Sequence, residues 1–264
     1  MGEDYNITQT TGKNSGGNNI GVQNNYVGIP PEKAIAITNQ LFIDNFPKLQ
    51  AEAFDIVNKR FSELETKLFS RLAENPFINY SAFADPDIQY IIYKAGESYA
   101  RFGNEDNLER LCDLIRTRIE NNSNDYIKLV VDSAIRVVPK ISIEQINYLT
   151  VMFYLKRAKL NNVNDIHDLE DAFNRIESLY GPVSGNGFSL LNNLGCFDFS
   201  IGNVEDICEK NYSISKEQIK GILPEDFNSV SGDYFTSDIG TVIAITNINQ
   251  KENTKYELKN FIKY

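Results

Sequence analysis

The chain has little of what most catalytic and metal-binding proteins use. Among its 264 residues there is one histidine, His167, and there are three cysteines, Cys112, Cys196 and Cys208; tryptophan is missing. One imidazole and three scattered thiols exclude a His/Cys metal framework and a disulfide scaffold, and leave no spare histidine for a Ser–His triad. Basic residues are also in deficit. Lys and Arg total 26 against 36 Asp and Glu, a net charge of −10. A nucleic-acid binder held by phosphate contacts wants a basic face, and so does a protein that binds anionic lipid. Neither is expected here. No stretch approaches the ~18 apolar residues of a membrane span, and the acidic start Met1-Gly2-Glu3-Asp4 does not read as a secretory signal. A cytoplasmic protein with reduced core thiols is the expectation.

What is present changes character at Pro30-Pro31. Before it, Ile7, Gln9 and Thr11 alternate in one run, and Ile20, Val22, Asn24 and Tyr26 in another, around a Lys-Asn-Ser-Gly-Gly-Asn turn at 13–18. Period-two alternation about a Gly/Asn turn signals a β-hairpin. Gly12, Gly16, Gly17, Gly21 and Gly28 would permit the turns. Such a hairpin has too few apolar anchors to stand alone and needs a partner.

From residue 30 the pattern is helical. Apolar residues recur at i, i+3 and i+4 over 31–46 and again over 47–72, with Pro47 expected to start or kink the second helix. Asp85-Pro86 reads as an N-cap with proline in the first turn, and Gly103 as the stop. Further helices are expected over 105–120, 123–138, 142–155 and 165–180, the sixth opened by the capping box Ser142-Ile143-Glu144-Gln145. That makes about seven helices by residue 180, with short loops favouring antiparallel neighbours. Beyond 181, helices are expected over 184–194, 204–212 and 216–222, and a short strand over 196–199. The run 237–249 is rich in Ile, Val and Thr, which suits a strand. The Ser237-Asp238 cap and the spacing of Ile239, Val242, Ile243, Ile245 and Ile248 favour a helix instead. Residues 256–261 read as a final short strand or frayed helix. The fold class is therefore mainly α: a multi-helix antiparallel bundle over 30–180, an N-terminal β-hairpin-like segment over 1–29, and a small winged-helix-like α+β region over 181–264.

Four stretches resemble the abortive-infection alpha (Abi-alpha) type of bacterial phage-defence protein. They are 21–28 with the helix 31–46 and Asn-Phe-Pro-Lys-Leu at 45–49; Phe83-Ala84-Asp85-Pro86-Asp87-Ile88-Gln89-Tyr90 with Tyr99-Ala100-Arg101; Val138-Pro139-Lys140-Ile141-Ser142; and Leu191-Asn192-Asn193-Leu194-Gly195-Cys196, answered by Phe235-Thr236-Ser237-Asp238-Ile239-Gly240. The resemblance implies a helical body and a defence role. It supplies no catalytic residues.

Several local patterns could carry chemistry. Asp165-Ile166-His167-Asp168 could form an acid/base or metal site, but a helix N-terminus explains it as well. The carboxylates Asp85, Asp87, Glu97, Glu105 and Asp106 could serve a hydrolase or hold a cation; caps and solvated faces account for them. Gly181 to Gly187 could cradle a phosphate but lacks the Gly-Lys-Ser/Thr ending of a P-loop. Lys156, Arg157, Lys159, Arg116 and Arg118 are expected on solvated helix faces. No catalytic residue, metal ligand or cofactor is expected. The sharpest feature is the N-terminal segment, whose Ile7, Gln9, Ile20, Val22, Gln23, Asn24 and Tyr26 are expected to make strand contacts with another chain. The expectation is a non-enzymatic defence protein whose partners are itself and, beyond itself, another defence protein. One alternative is an amyloid-like signalling adaptor that templates a partner's strand. Another is a cryptic carboxylate-dependent hydrolase.

Overall fold

A computed structural model describes residues 31–76, 78–121, 124–181, 187–199, 202–224, 227 and 234–262. The fold is mainly α, as the periodicity indicates. In chain order the elements are α1 (Pro31–Ala73), α2 (Pro86–Phe102), α3 (Leu108–Glu120), α4 (Asp125–Val137), α5 (Ile143–Lys156), α6 (Ile166–Tyr180), α7 (Phe188–Asn193), β1 (Phe197–Phe199), α8 (Val204–Tyr212), α9 (Lys216–Ile222), β2 (Tyr234–Thr236) and α10 (Asp238–Lys251). The hairpin-like segment over 1–29, with Ile7, Gln9, Ile20, Val22, Gln23, Asn24 and Tyr26, lies outside the described residues.

The local signals at helix ends hold in detail. Asp85 caps α2 by accepting from the Asp87 amide, Pro86 occupies the first turn, and Gly103 ends the helix at φ 61°. Ser142 and Gln145 form the reciprocal capping box of α5. A second box, Asn203 with Asp206, opens α8. Of the two readings of Pro47, the start of a new helix is not what is found: Pro47 lies inside α1, which runs as one helix of 43 residues, so six α-helices rather than seven precede Gly181 among the described residues. Proline removes one N–H donor. Here both Pro47 and Ile43, whose carbonyl would have accepted from it, are exposed, so water can take the orphaned carbonyl.

The chain divides into two units, residues 1–50 and 51–264. The described part of the first is the N-terminal half of α1. Its described side chains are all exposed, among them Ile35, Ile37, Leu41, Ile43 and Phe46.

The second unit holds the core. Leu64, Leu68 and Leu72 recur every four residues on α1, and Ile88, Ile91, Ala95 and Tyr99 form the matching stripe of α2. Two helices lack a solvent face for most of their length. Residues 148–156 of α5 and 240–248 of α10 are all buried. These two make the most extensive helix pair, and α10 also packs on α4 and α3. A helix that is apolar nearly all round belongs in the middle of a protein. This settles the Ile/Val/Thr run as helix: the Ser237 side chain accepts from the Gly240 amide, and burial outweighs the poor helix propensity of β-branched residues. Since α10 sits among α3, α4 and α5, the helical body and the C-terminal region share one core.

The only sheet among the described residues pairs β1 with β2 antiparallel, Phe197 opposite Thr236 and Phe199 opposite Tyr234. Between these strands α8 and α9 are joined by three residues, with Ser213 in the left-handed region at φ 58°. After α10 the described residues include a 3-10 turn at Leu258–Asn260.

Candidate functional site

Chemistry-bearing side chains fall into three groups: caps, buried polar clusters, and exposed surface. The patterns with catalytic potential are caps. Asp165 accepts from the amides of His167 and Asp168, and Asp168 accepts from the Asn164 amide at 2.8 Å. The imidazole of His167 is 85% exposed, with Glu170 at 4.0 Å as its acidic neighbour. Asp87 pairs with Arg118, and Lys94 donates to Glu97 at 2.6 Å. Among the described residues no three His, Cys, Asp or Glu side chains gather as a metal site would require. Residues 182–186 of the glycine-rich loop lie outside the described residues.

The basic spots differ most from expectation. Arg118, expected on a solvated face, is 1% exposed. Its Nε donates to Asp132 at 2.8 Å and its Nη2 to Asp87. Burial pushes the Asp132 carboxyl above the ordinary range, against the pull of Arg118. Lys156 is buried as well and donates to the Gly202 carbonyl at 3.4 Å. Arg157 reaches out from the end of α5. Its Nη1 donates to the Thr236 carbonyl at 2.7 Å and to Thr241 Oγ1 at 2.8 Å; its Nη2 donates to Asp238 Oδ1 at 2.6 Å and the Phe261 carbonyl at 3.1 Å. One guanidinium thus ties α5 to β2, to the start of α10 and to the chain end. The other Asp238 oxygen accepts from the Tyr126 hydroxyl at 2.6 Å. Partners 81 and 104 positions away leave no trace in the local pattern of a helix.

Helix α10 carries the other cluster. Asn247 is fully buried. Its amide donates to Thr150 Oγ1 at 2.9 Å and Asn147 Oδ1 at 3.3 Å, and its oxygen accepts from Arg110 Nε at 2.8 Å and Nη2 at 2.6 Å. One turn on, Glu252 accepts from the Tyr154 hydroxyl at 2.6 Å, the Tyr180 hydroxyl at 2.7 Å and Arg175 Nη2 at 2.7 Å. Burial and the Glu252 carboxylate push both phenols far above their ordinary range. Gln250 donates to Asp113. A buried polar group costs little when partnered, and these contacts position α10 against α3, α5 and α6.

The three cysteines are buried and unpaired. Burial pushes each thiol from 9.0 up to about 12. They are therefore protonated at neutral pH, the opposite of an activated nucleophile. The sign of the pH dependence follows. A raised folded-state value gives a contribution that is complete below pH 9 and is lost as pH rises toward 12. Each thiol would cost about 1.4 kcal/mol per pH unit above 9. Urea unfolding at pH 8 and pH 10 should show a clear fall in midpoint, and a midpoint independent of pH over this range would contradict the burial of the thiols.

Exposed features remain. A shallow groove of about 440 Å³ is lined by Lys59, Ser62, Glu63, Thr66, Lys67 and Leu108. Lys67 is already paired with Glu109 there, and Glu63 accepts from Tyr99. The larger exposed apolar area is on α1, where Ile35, Ile43 and Phe54 are each at least 60% exposed. No described helix is long and apolar enough to cross a membrane.

A protein-family model matches residues 28–233 and is described only as “:-like”. The chain belongs to that family. The match begins just before α1 and stops just before β2, so it takes in the Pro30-Pro31 transition and leaves α10 beyond its end. The family description names no activity, substrate or partner. No curated protein and no solved structure matches the chain.

Proposed function

We propose that this family member is a cytoplasmic, non-enzymatic bacterial defence protein of the abortive-infection type, which assembles with itself or recruits a partner through residues 1–29. The defence role rests on the four stretches that resemble Abi-alpha proteins. The assembly role rests on how charge is distributed. Residues 1–50 carry four acids and three bases, so nine of the ten net negative charges belong to residues 51–264. Copies of an acidic body repel one another, and a nearly neutral strand-forming segment is where they can meet. Within 51–264, Arg110, Arg118, Arg157, Tyr154 and Tyr180 are engaged in contacts between elements of the fold.

Deleting residues 1–29 and measuring mass by light scattering tests the proposal. The expected result is a lower mass than that of the full chain, with the helical signal retained. An unchanged mass, with no partner lost from pull-down, would overturn it.

A further inference from the structure

We propose that Arg110 on α3 and Lys251 at the end of α10 together bind a phosphate dianion, free or carried on a phosphomonoester. The site does not depend on residues 1–29. Arg110 is partly buried, and every acceptor it uses is a neutral oxygen. Its Nε and Nη2 donate to Asn247 Oδ1 at 2.8 and 2.6 Å, and its Nη1 donates to the Asp106 carbonyl at 2.7 Å. A guanidinium has five N–H groups, so one on Nη1 and one on Nη2 are unused. Other arginines of α3 are matched with acids: Arg116 with Glu74 and Asp113, Arg118 with Asp87 and Asp132. Arg110 has no such ion pair among the described residues.

Lys251 is the second unmatched cation. It lies one turn after Asn247, so the two side chains leave α10 on the same face. Its Nζ stands 4.9 Å from the centre of the Tyr180 ring, and it too has no ion pair among the described residues. Burial, and after it the Arg110 charge, hold the Lys251 ammonium below its ordinary range; burial lowers Arg110 against the pull of Asp106, Asp113 and Glu109. The acids nearby are engaged elsewhere: Glu109 by Lys67 and Arg71, Asp113 by Arg71, Arg116 and Gln250, and Glu252 by Arg175. Asp106 is exposed to water. Two neighbouring cations without a paired acid, in a chain of net charge −10, make a place for an anion. A phosphate dianion matches them in charge, whereas a carboxylate would neutralise only one. The unused N–H groups of Nη1 and Nη2 can take two of its oxygens, and the ammonium a third.

The test is calorimetric titration of the full chain at pH 8 and constant ionic strength, with inorganic phosphate, phenyl phosphate and, as the monoanion control, acetate. Saturable binding of phosphate at one site is expected. Tighter binding of inorganic phosphate would identify the free ion as the source, and tighter binding of phenyl phosphate a phosphomonoester. Lys251→Ala should weaken binding about tenfold, since a charge-assisted hydrogen bond is lost, and Lys251→Arg should stay within about threefold of wild type. Lys251 is exposed, so both variants should unfold at the wild-type temperature. Arg110→Lys keeps the charge but loses the fork, and should also weaken binding. Asp106→Asn should tighten it by removing a repelling charge. Lys220→Ala, at an exposed site on α9, should leave it unchanged. No saturable binding of either phosphate, acetate bound as tightly, or an affinity untouched by Lys251→Ala would each overturn the proposal.

Discussion

Arg118→Ala is expected to destabilise the protein by about 3–5 kcal/mol, because it leaves a carboxylate buried without its counter-ion. Asp132 is itself largely buried and accepts from Arg118 Nε at 2.8 Å, whereas Asp87, the other partner, is half exposed and can return to water. The two acids therefore differ in consequence. Removing Asp87 should cost about 1 kcal/mol or less. Removing Asp132 should cost more, about 2–3 kcal/mol, since the buried Nε of Arg118 loses its acceptor while only the half-exposed Asp87 continues to balance the charge. Replacing both buried partners, as Arg118→Met/Asp132→Leu, should recover most of the loss, because two apolar side chains of similar volume need no pairing. Urea denaturation of the two single variants and the double variant checks this. A double variant as unstable as Arg118→Ala would mean that the loss is one of packing rather than of charge.

The second large effect is expected at Gly240. This residue lies in the first turn of α10, directly against the backbone of Cys196, and a β-carbon there would overlap the Cys196 carbonyl oxygen and crowd Leu149. The Ser237 amide donates to that same carbonyl at 2.9 Å, and the Ser237 hydroxyl donates to the Gly195 carbonyl at 2.6 Å. Neither the helix nor the turn can withdraw without breaking these bonds. Gly240→Ala should cost about 3 kcal/mol, or about 6–12 °C in melting temperature for a chain of this size. Gly221→Ala gives the contrast. Gly221 lies within α9 with open space around it and no left-handed φ, so a side chain there should be neutral or stabilising by up to about 1 kcal/mol. Equal melting temperatures for the two variants would show that α10 does not approach Cys196 this closely.

These residues also show what could be read from the sequence. Caps are local, so Asp85-Pro86, Ser142 with Gln145, and Ser237 before α10 are visible as short patterns and hold in the structure. The helices expected at 204–212 and 216–222 begin and end at those residues. Position within the fold is not local. Nothing near Arg118 or Arg157 in the chain distinguishes them from solvated helix cations; their partners come from other elements, 14 to 104 residues away. Pro47 misleads for a related reason. A proline costs a helix one hydrogen bond and displaces the carbonyl four residues earlier, and at Pro47 that carbonyl, of Ile43, is on an exposed stretch where water can reach it. Gly240 appears in the sequence only as the end of the Phe235-to-Gly240 stretch inside an expected helix, and the need for a glycine there comes from a carbonyl 44 positions earlier. The residues expected to contact a partner, Ile7, Gln9, Ile20, Val22, Gln23, Asn24 and Tyr26, lie outside the described residues, so deletion and mass measurement are the route to them.

The central place of α10 has a consequence for the order of events at the ribosome. Helix α5 ends at Lys156 and α10 at Lys251, so 95 residues are added after α5 is complete before its main packing partner exists. At about 5–20 residues per second this is roughly 5–20 s. Through that interval the nascent chain carries α3, α4 and α5 with their inward faces open, a load for holdase chaperones. A stop codon just before Ser237 would leave a polypeptide that keeps most of the helices and lacks the one around which three of them close. Such a product is expected to be cleared by proteolysis rather than to accumulate in a partly active form.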